Sequence, residues 1–245
     1  MTPRRAFSLI ELLVVIAVIS ILAALLLPAL SGAKKRAGQA QCINDLKQLG
    51  TGIVMYIDDN QDTFPGPASL HHGFQPTDWI YWRTNTALYP PVEKSPIVIA
   101  MANASRTLFR CPLDVSDVDR LFQSDSPDGP YLFSYSLTGY GVSGTANVGM
   151  SSVFNVSGSN VVSFPFKLSS VRNPSGKIMF AEEPGTFREN PDSGAVIDDG
   201  RWEPTDPDPL TTRHGGKADV TFTDGHVLAV TSKFGEDTNN SWPGL

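Results

Sequence analysis

The sequence predicts an α+β fold in which one long N-terminal helix packs on a β-rich globular head. The first observation is an apolar run over residues 7–30, which continues into an apolar repeat of three- and four-residue steps up to residue 59. The second is the segment 60–245, where short apolar stretches alternate with Gly, Pro, Asn and Ser. That alternation is typical of strands joined by turns and loops.

Charge divides the chain in a similar way. The first 36 residues carry five basic side chains and one acidic side chain, whereas the remainder carries 14 basic and 24 acidic ones. A net charge of −6 over 245 residues argues against nucleic-acid binding. Two cysteines exclude a four-thiolate zinc site and a disulfide-dense miniprotein. The chain therefore has an apolar, basic start and an acidic body.

Residues 7–30 are long enough to cross a membrane, because a helix of this length spans roughly 36 Å against a bilayer core of about 30 Å. The run contains one charged side chain, Glu11. A carboxylate in a membrane helix costs roughly 2.5–3.5 kcal/mol and usually has a partner. A secretory signal cleaved near Ser31-Gly32-Ala33 and a plain signal anchor are alternatives, and both leave Glu11 unexplained.

The run Arg4–Leu12 resembles the processing site of type IV prepilins and type II secretion pseudopilins. In that family a prepilin peptidase removes a short basic leader before a Phe, the new N-terminal Phe is methylated, and the fifth residue of the mature chain is Glu. The resemblance implies a leader over residues 1–6, cleavage between Ala6 and Phe7, and N-methylation of Phe7. The family usually has Gly where this chain has Ala6.

The same resemblance assigns roles in assembly. Glu11 would meet the Phe7 amine of a neighbouring subunit, and Pro28 stands where pilin helices often carry a kinking Pro. The implied fold is pilin-like. The implied partners are other pilin or pseudopilin subunits, the prepilin peptidase and methyltransferase, and inner-membrane lipid. The protein would cross the inner membrane once, with its N-terminus in the cytoplasm and its head in the periplasm or outside the cell.

Beyond the membrane segment, residues 31–59 are predicted to continue the helix. Ile43, Leu46, Leu49 and Ile53 recur on one face, which is the pattern of an amphipathic helix. We expect one long, bent helix over about residues 8–59, followed by a head over 60–245. Within the head, the acidic and Pro-rich stretch 183–209 is predicted to form one long surface loop.

The clearest element of the head is a predicted hairpin over residues 217–232. Asp224-Gly225 between two apolar stretches indicates a two-residue turn, because Gly accepts a positive φ. His214, followed after nine residues by Asp224-Gly225, resembles a C-terminal signature of large prepilin-like proteins from environmental Gram-negative bacteria. A structural role for His214 is a hydrogen bond that fixes the hairpin to the sheet.

Several side chains of the head also allow a metal or catalytic interpretation. His214 and His226, with Glu182, Asp219 and Asp224, offer nitrogen and oxygen ligands for a transition metal. Acidic residues of the predicted loop offer oxygen ligands for Ca²⁺, although their spacing matches no defined calcium loop. These calcium candidates are Asp198, Asp199, Asp206 and Asp208.

Cys42 and Cys111 are the two cysteines, one in the predicted helix and one in the head. A disulfide between them would persist outside the cytoplasm and would tie the helix to the head. Two buried free thiols are the alternative.

Together with these patterns, the resemblance implies a structural subunit of a type IV pilus-like or type II secretion pseudopilus assembly, and not an enzyme. One alternative is a membrane-anchored extracytoplasmic module that binds Ca²⁺, or binds carbohydrate through aromatic residues such as Trp79, Tyr81 and Trp82. Another is a membrane-anchored, metal-dependent hydrolase that uses His214.

Overall fold

The computed structural model describes residues 9–70, 73–102, 104–123, 127–139, 150–157, 160–189, 194–204 and 208–243. It confirms the predicted α+β class, with one long helix and a head built on a mixed five-stranded sheet. The chain divides into two compact units, Met1–Gly38 and Gln39–Leu245, and the long helix contributes to both.

Helix α1 runs from Leu9 to Asp59 and contains Pro28. The apolar run and its amphipathic continuation therefore form one element, as the periodicity predicts. The helix ends where Asn60 N–H and Asp62 N–H both donate to the carbonyl of Ile57. Gln61 and Asp62 follow in the left-handed conformation, with φ of 57° and 66°, which is a common way to end a helix.

The main sheet has the strand order β5-β1-β4-β6-β7. Pairing is antiparallel between β1 and β4, β4 and β6, and β6 and β7, and parallel between β1 and β5. A separate antiparallel hairpin joins β2 to β3. The strands are β1 (Tyr135–Thr138), β2 (Val153–Ser157), β3 (Asn160–Phe164), β4 (Ile178–Glu182), β5 (Arg201–Trp202), β6 (Ala218–Phe222) and β7 (Val227–Val230).

Short helical segments complete the head. The α-helices are α2 (Pro96–Ala100), α3 (Val118–Gln123) and α4 (Ser232–Glu236), and the 3₁₀ turns are Val92–Lys94, Arg106–Phe109, Leu168–Ser170, Pro174–Gly176 and Thr238–Asn240.

The second half of α1 supplies much of the core of the head. Leu46, Leu49 and Ile53 are fully buried, and they belong to one cluster with Trp79 and Phe180. At about 25 cal/mol per Å² of apolar area, burying such side chains stabilises the head by roughly 1.5–3 kcal/mol each. The amphipathic stripe seen in the sequence is thus a core face.

Two local predictions are wrong. Strand β5 lies inside the stretch 183–209 and pairs with β1, and Ile197, Asp199 and Trp202 are buried, so this stretch is not one surface loop. The acidic, Pro-rich composition of this stretch indicates a loop. Strand β5 has only two residues and is too short to show the alternation of a strand.

The turn between β6 and β7 also differs from the prediction. Phe222 N–H donates to His226 O at 2.9 Å, and Gly225 N–H donates to Phe222 O at 2.8 Å, so three residues form the loop. Gly225 has φ of +88°, whereas Asp224 is not at positive φ. A two-residue type I′ turn needs positive φ at both central residues; a three-residue loop needs it only at the last.

Candidate functional site

The first half of α1 presents an apolar surface. Its side chains from Leu9 to Leu30 are exposed, and the helix is long and apolar enough to cross a membrane. Glu11 lies in the first turn, where the partial positive charge of a helix N-terminus favours a carboxylate. Pro28 lies inside the helix. Ala6 and Phe7, the predicted cleavage residues, lie outside the described residues.

Within the head, a disulfide joins Cys42 of α1 to Cys111, which follows the 3₁₀ turn Arg106–Phe109. The two Cα atoms are 5.1 Å apart and both side chains are fully buried. Cys111 N–H donates to Ser134 Oγ at 3.1 Å, which fixes this loop beside β1. The structure thus links the last part of α1 to the head covalently.

His214 lies against this disulfide, in the turn that precedes β6. Its Nε2 atom is 2.9 Å from Glu182 Oε2, 3.5 Å from Asp219 Oδ2 and 3.8 Å from Cys111 Sγ. A carboxylate only accepts, so Nε2 donates to Glu182. The turn is closed by a hydrogen bond from His214 N–H to Lys217 O. Gly215 is left-handed within it, with φ of +68°.

The sheet places the two acidic partners of His214. Glu182 ends β4 and Asp219 lies in the adjacent strand β6. Asp219 N–H donates to Glu182 Oε2 at 3.3 Å, and Gln39 Nε2 donates to Asp219 Oδ1 at 3.2 Å. The imidazole and both carboxylate side chains are fully buried.

Arginines balance part of this buried negative charge. Arg213 pairs with Glu182 Oε1 at 2.5 Å and with Glu189 Oε2 at 2.6 Å. Arg120 pairs with Asp114 at 2.5 Å, and Arg213 lies 3.8 Å from the same carboxylate. Although burial opposes it, the hydrogen bond from Arg120 and the charge of Arg213 hold the pKa of Asp114 below its usual range.

Burial and the neighbouring charges also shift the pKa values of His214 and Asp219. Burial disfavours a charged imidazole at His214, but the hydrogen bond to Glu182 and the charges of Glu182 and Asp219 outweigh it and raise the pKa of His214. Burial raises the pKa of Asp219. Among the residues that the structure describes, Asp219 Oδ2 and His214 Nδ1 are buried without a hydrogen-bond partner.

The structure brings together only some of the metal candidates. The ligand atoms of Cys42, Cys111, Glu182 and His214 lie within 4.8 Å of one another. In contrast, Asp224 Oδ1 is 2.5 Å from His226 Nδ1 in the turn between β6 and β7. Asp224 and His226 therefore pair with each other rather than completing a ligand set with His214.

The calcium candidates have other partners. Asp199 accepts from Leu70 N–H and Arg201 N–H, both at 2.6 Å, and Asp208 accepts from Glu203 N–H at 3.0 Å. Burial raises the pKa of Asp199 to about 6 and that of Asp208 to about 7. Asp206 lies outside the described residues. In the described ranges, Asp198, Asp199 and Asp208 form no converging group of three ligand atoms.

Two of the aromatic side chains considered for carbohydrate binding lie in the core. Trp79 and Trp82 are buried, and their indole N–H groups donate to the carbonyls of Gly200 at 2.8 Å and Ala68 at 2.7 Å. Tyr81 is half-buried, and its hydroxyl donates to Pro76 O. Buried indoles with satisfied N–H groups stabilise the fold and offer no face to a sugar.

Sequence reasoning missed the arginines of the site. Arg213 precedes His214 directly, but a single basic residue among turn residues gives no signal of burial. Arg120 lies in α3, and its role depends on Asp114 six residues earlier. A separation of six residues is not a spacing at which side chains meet on a helix, so the sequence gives no sign of this pair.

Comparisons with known proteins show the family of the chain. Residues 1–27 match the family model described as the prokaryotic N-terminal methylation motif. Over 130 residues the chain is 30% identical to type II secretion system core protein G of Escherichia coli (strain K12). The match covers 52% of this chain and 77% of that relative. The chain belongs to the pilin-like family of type II secretion core protein G.

Other members of this pilin-like family match shorter stretches. The chain is 38% identical over 60 residues to core protein G of Klebsiella pneumoniae, covering 24% of this chain and 43% of the relative. It is 41% identical over 78 residues to the type IV wide pilus major component PilA4 of Thermus thermophilus, covering 31% and 60%. These two matches span less than two thirds of the relatives. No solved structure matches the chain.

Proposed function

We propose that this chain is a structural subunit of a type IV pilus-like or type II secretion pseudopilus filament. The observation that carries the proposal is the methylation motif over residues 1–27, which includes most of the exposed apolar run of α1. An exposed surface of this kind needs lipid or other helices around it. Its partners are therefore other pilin or pseudopilin subunits.

Processing prepares the chain for assembly. The leader, residues 1–6, is removed between Ala6 and Phe7, and Phe7 is N-methylated. The resulting amine stays cationic and pairs with Glu11 of a neighbouring subunit, which offsets the cost of a carboxylate in an apolar bundle. The place of Glu11 in the first turn of α1 supports this pairing.

Before assembly the helix over residues 7–30 anchors the subunit in the inner membrane, surrounded by lipid. The short basic leader supports a cytoplasmic N-terminus. A head outside the cytoplasm is supported by the Cys42–Cys111 disulfide, because disulfides persist in oxidising compartments. The head then faces the periplasm or the cell exterior.

The subunit itself is not an enzyme in this proposal. The family is structural, and the covalent chemistry belongs to the prepilin peptidase and methyltransferase, for which this chain is the substrate. The domain plan is a leader over 1–6, an assembly helix over 7–30, its amphipathic continuation over 31–59 and a head over 60–245.

Mass spectrometry of the N-terminus, on protein isolated from its native membrane, tests the proposal. A mature chain that begins with N-methyl-Phe7 is the expected result. An intact Met1, or a start near Lys34, would contradict the filament subunit and favour an anchored or secreted binding module.

A further inference from the structure

Four metal-ligand atoms converge inside the head: Cys42 Sγ, Cys111 Sγ, His214 Nε2 and a carboxylate oxygen of Glu182. They lie within 4.8 Å of one another and all four residues are buried. In a tetrahedral zinc site, with Zn–S of about 2.3 Å and Zn–N of about 2.0–2.1 Å, neighbouring ligand atoms are roughly 3.3–3.8 Å apart. The cluster is thus near the size of a metal coordination shell.

We propose that the head contains a redox-controlled zinc site. In the reduced protein, the thiolates of Cys42 and Cys111, the imidazole of His214 and the carboxylate of Glu182 bind one thiophilic divalent cation. The disulfide and the metal-bound form exclude each other, because the same two sulfurs serve either as the S–S bond or as ligands. All four residues lie within the unit Gln39–Leu245.

The surrounding charges suit a bound cation. Asp219 Oδ2 is buried, has no hydrogen-bond partner among the described residues and lies 3.5 Å from His214 Nε2. A buried carboxylate oxygen without a partner is costly, and a cation beside it reduces that cost. Arg213 binds Glu182 through Oε1, whereas Oε2 faces His214 and is directed at the site. Arg213 therefore orients the ligand from outside the coordination shell.

The site opens by thiol–disulfide exchange with a dithiol reductant. One reductant thiolate attacks a sulfur of the disulfide, the S–S bond breaks and a mixed disulfide forms. The second reductant thiol displaces the protein sulfur, which leaves Cys42 and Cys111 as two thiols and the reductant as its own disulfide. Binding of the cation then releases both thiol protons, and His214 binds as the neutral imidazole with its proton on Nδ1.

A cavity of about 480 Å³ borders the loop that carries Cys111. It is lined by Cys111 together with Gln41, Arg110, Pro112 and Phe133, among others. A buried metal site needs such an entry path. Both cysteine side chains are fully buried, so a dithiol or an ion that enters this cavity reaches the sulfurs only when the Cys111 loop opens.

Cobalt binding to the full chain in detergent micelles tests the proposal. The protein is reduced with a dithiol under nitrogen, freed of reductant and titrated with Co²⁺, after which Zn²⁺ is added. We expect one equivalent of Co²⁺ with thiolate-to-cobalt charge-transfer absorption and the visible bands of tetrahedral cobalt. Zn²⁺ should remove this spectrum, and the oxidised protein should not develop it.

Variants assign the ligands. The double variant Cys42→Ser/Cys111→Ser should lose the spectrum, and Glu182→Gln and His214→Gln should each weaken cobalt binding by at least about tenfold. His226→Gln is the matched control, because the His226 side chain is only partly buried in the turn between β6 and β7 and pairs with Asp224. It should bind cobalt like the parent chain.

A second measurement uses the parent chain alone, so that it does not depend on the folding of any variant. Zn²⁺ should slow the alkylation of both thiols in the reduced chain. The proposal is overturned if the reduced parent binds no stoichiometric cobalt through thiolates, or if Zn²⁺ leaves the alkylation rate unchanged. It is equally overturned if His226→Gln weakens binding as much as His214→Gln.

Discussion

Glu11 is the one charged side chain in the apolar run. Its role in assembly can be distinguished from the effect of removing an acidic side chain elsewhere. Glu11→Gln should strongly reduce filament assembly, because the neutral amide no longer attracts the methylated amine of Phe7 on a neighbour. Assembly is measured by cross-linking subunits in cells or by sedimenting sheared filaments.

The control for this variant is Glu93→Gln, which removes an exposed acid of the head. It should assemble normally. If both variants assemble like the parent chain, the pairing of Glu11 with the Phe7 amine is wrong, whatever the N-terminal processing.

Asp208 predicts a pH dependence of stability. Burial raises the pKa of Asp208 from 3.8 to about 7. Between pH 3.8 and about 7, the Asp208 carboxyl is therefore protonated in the folded head and ionised in the unfolded chain. Because the native state binds more protons there, stability falls as pH rises, by up to about 1.4 kcal/mol per pH unit for each such group, and levels off above about pH 7. The melting temperature of the head should therefore be lower at pH 8 than at pH 5.

Asp208→Asn should flatten this dependence, because an amide does not titrate. The amide oxygen can still accept from Glu203 N–H, so the local structure is kept. Asp78, whose pKa burial also raises to about 7, keeps part of the slope. Asp59→Asn, an exposed change at the end of α1, should leave the profile unaltered. An Asp208→Asn profile identical to that of the parent would contradict the raised pKa.

Individual site residues were partly predictable. The sequence indicates Glu182, His214 and Asp219 as ligand candidates and Cys42 and Cys111 as a candidate disulfide, but it does not join the two sets. Their proximity depends on strand order, because Glu182 in β4 and Asp219 in β6 meet only where those strands pair. No spacing along the chain encodes that pairing.

At the scale of elements, the contact between α1 and α2 can be tested through a glycine. A Cβ added at Gly52 would lie 2.9 Å from Ile97 Cγ1 in α2 and also too close to Met101. Gly52→Ala gains up to about 1 kcal/mol of helix propensity but should lose roughly 1–3 kcal/mol to overpacking. We expect a lower free energy of unfolding of the head, measured by urea denaturation.

Gly32→Ala is the matched change in the same helix, since nothing lies within 4 Å of a Cβ added there. It should leave the unfolding transition of the head unchanged. A Gly52→Ala head as stable as the parent would show that α2 moves away at little cost.

Elements differ in how far the sequence predicts them. Helix α1 was predictable because its apolar pattern persists over many turns, and the structure confirms it over Leu9–Asp59. Strand β5 is not predictable, because it forms only where it pairs with the distant strand β1. The three-residue turn after β6 is not predictable either, because two local backbone hydrogen bonds decide its length. Short elements carry too few residues for a periodic signal.

For the molecule as a whole, the Cys42–Cys111 disulfide should dominate the stability of the oxidised head. It links residues 69 positions apart, and a loop of this size is worth roughly 4 kcal/mol in the chain-entropy model. Cys42→Ser/Cys111→Ser should lower the free energy of unfolding by about that amount in the presence of a chelator. Added reductant should destabilise the parent and leave the double variant unaffected; equal stability of the two oxidised proteins would contradict this role.

The continuity of α1 has a practical consequence for the design of truncated fragments. The boundary between its two compact units falls at Gly38, in the middle of the helix and four residues before Cys42. A soluble fragment must therefore begin inside α1. One that begins after Asp59 loses Leu46, Leu49 and Ile53 from its core together with one half of the disulfide, and it should aggregate instead of folding.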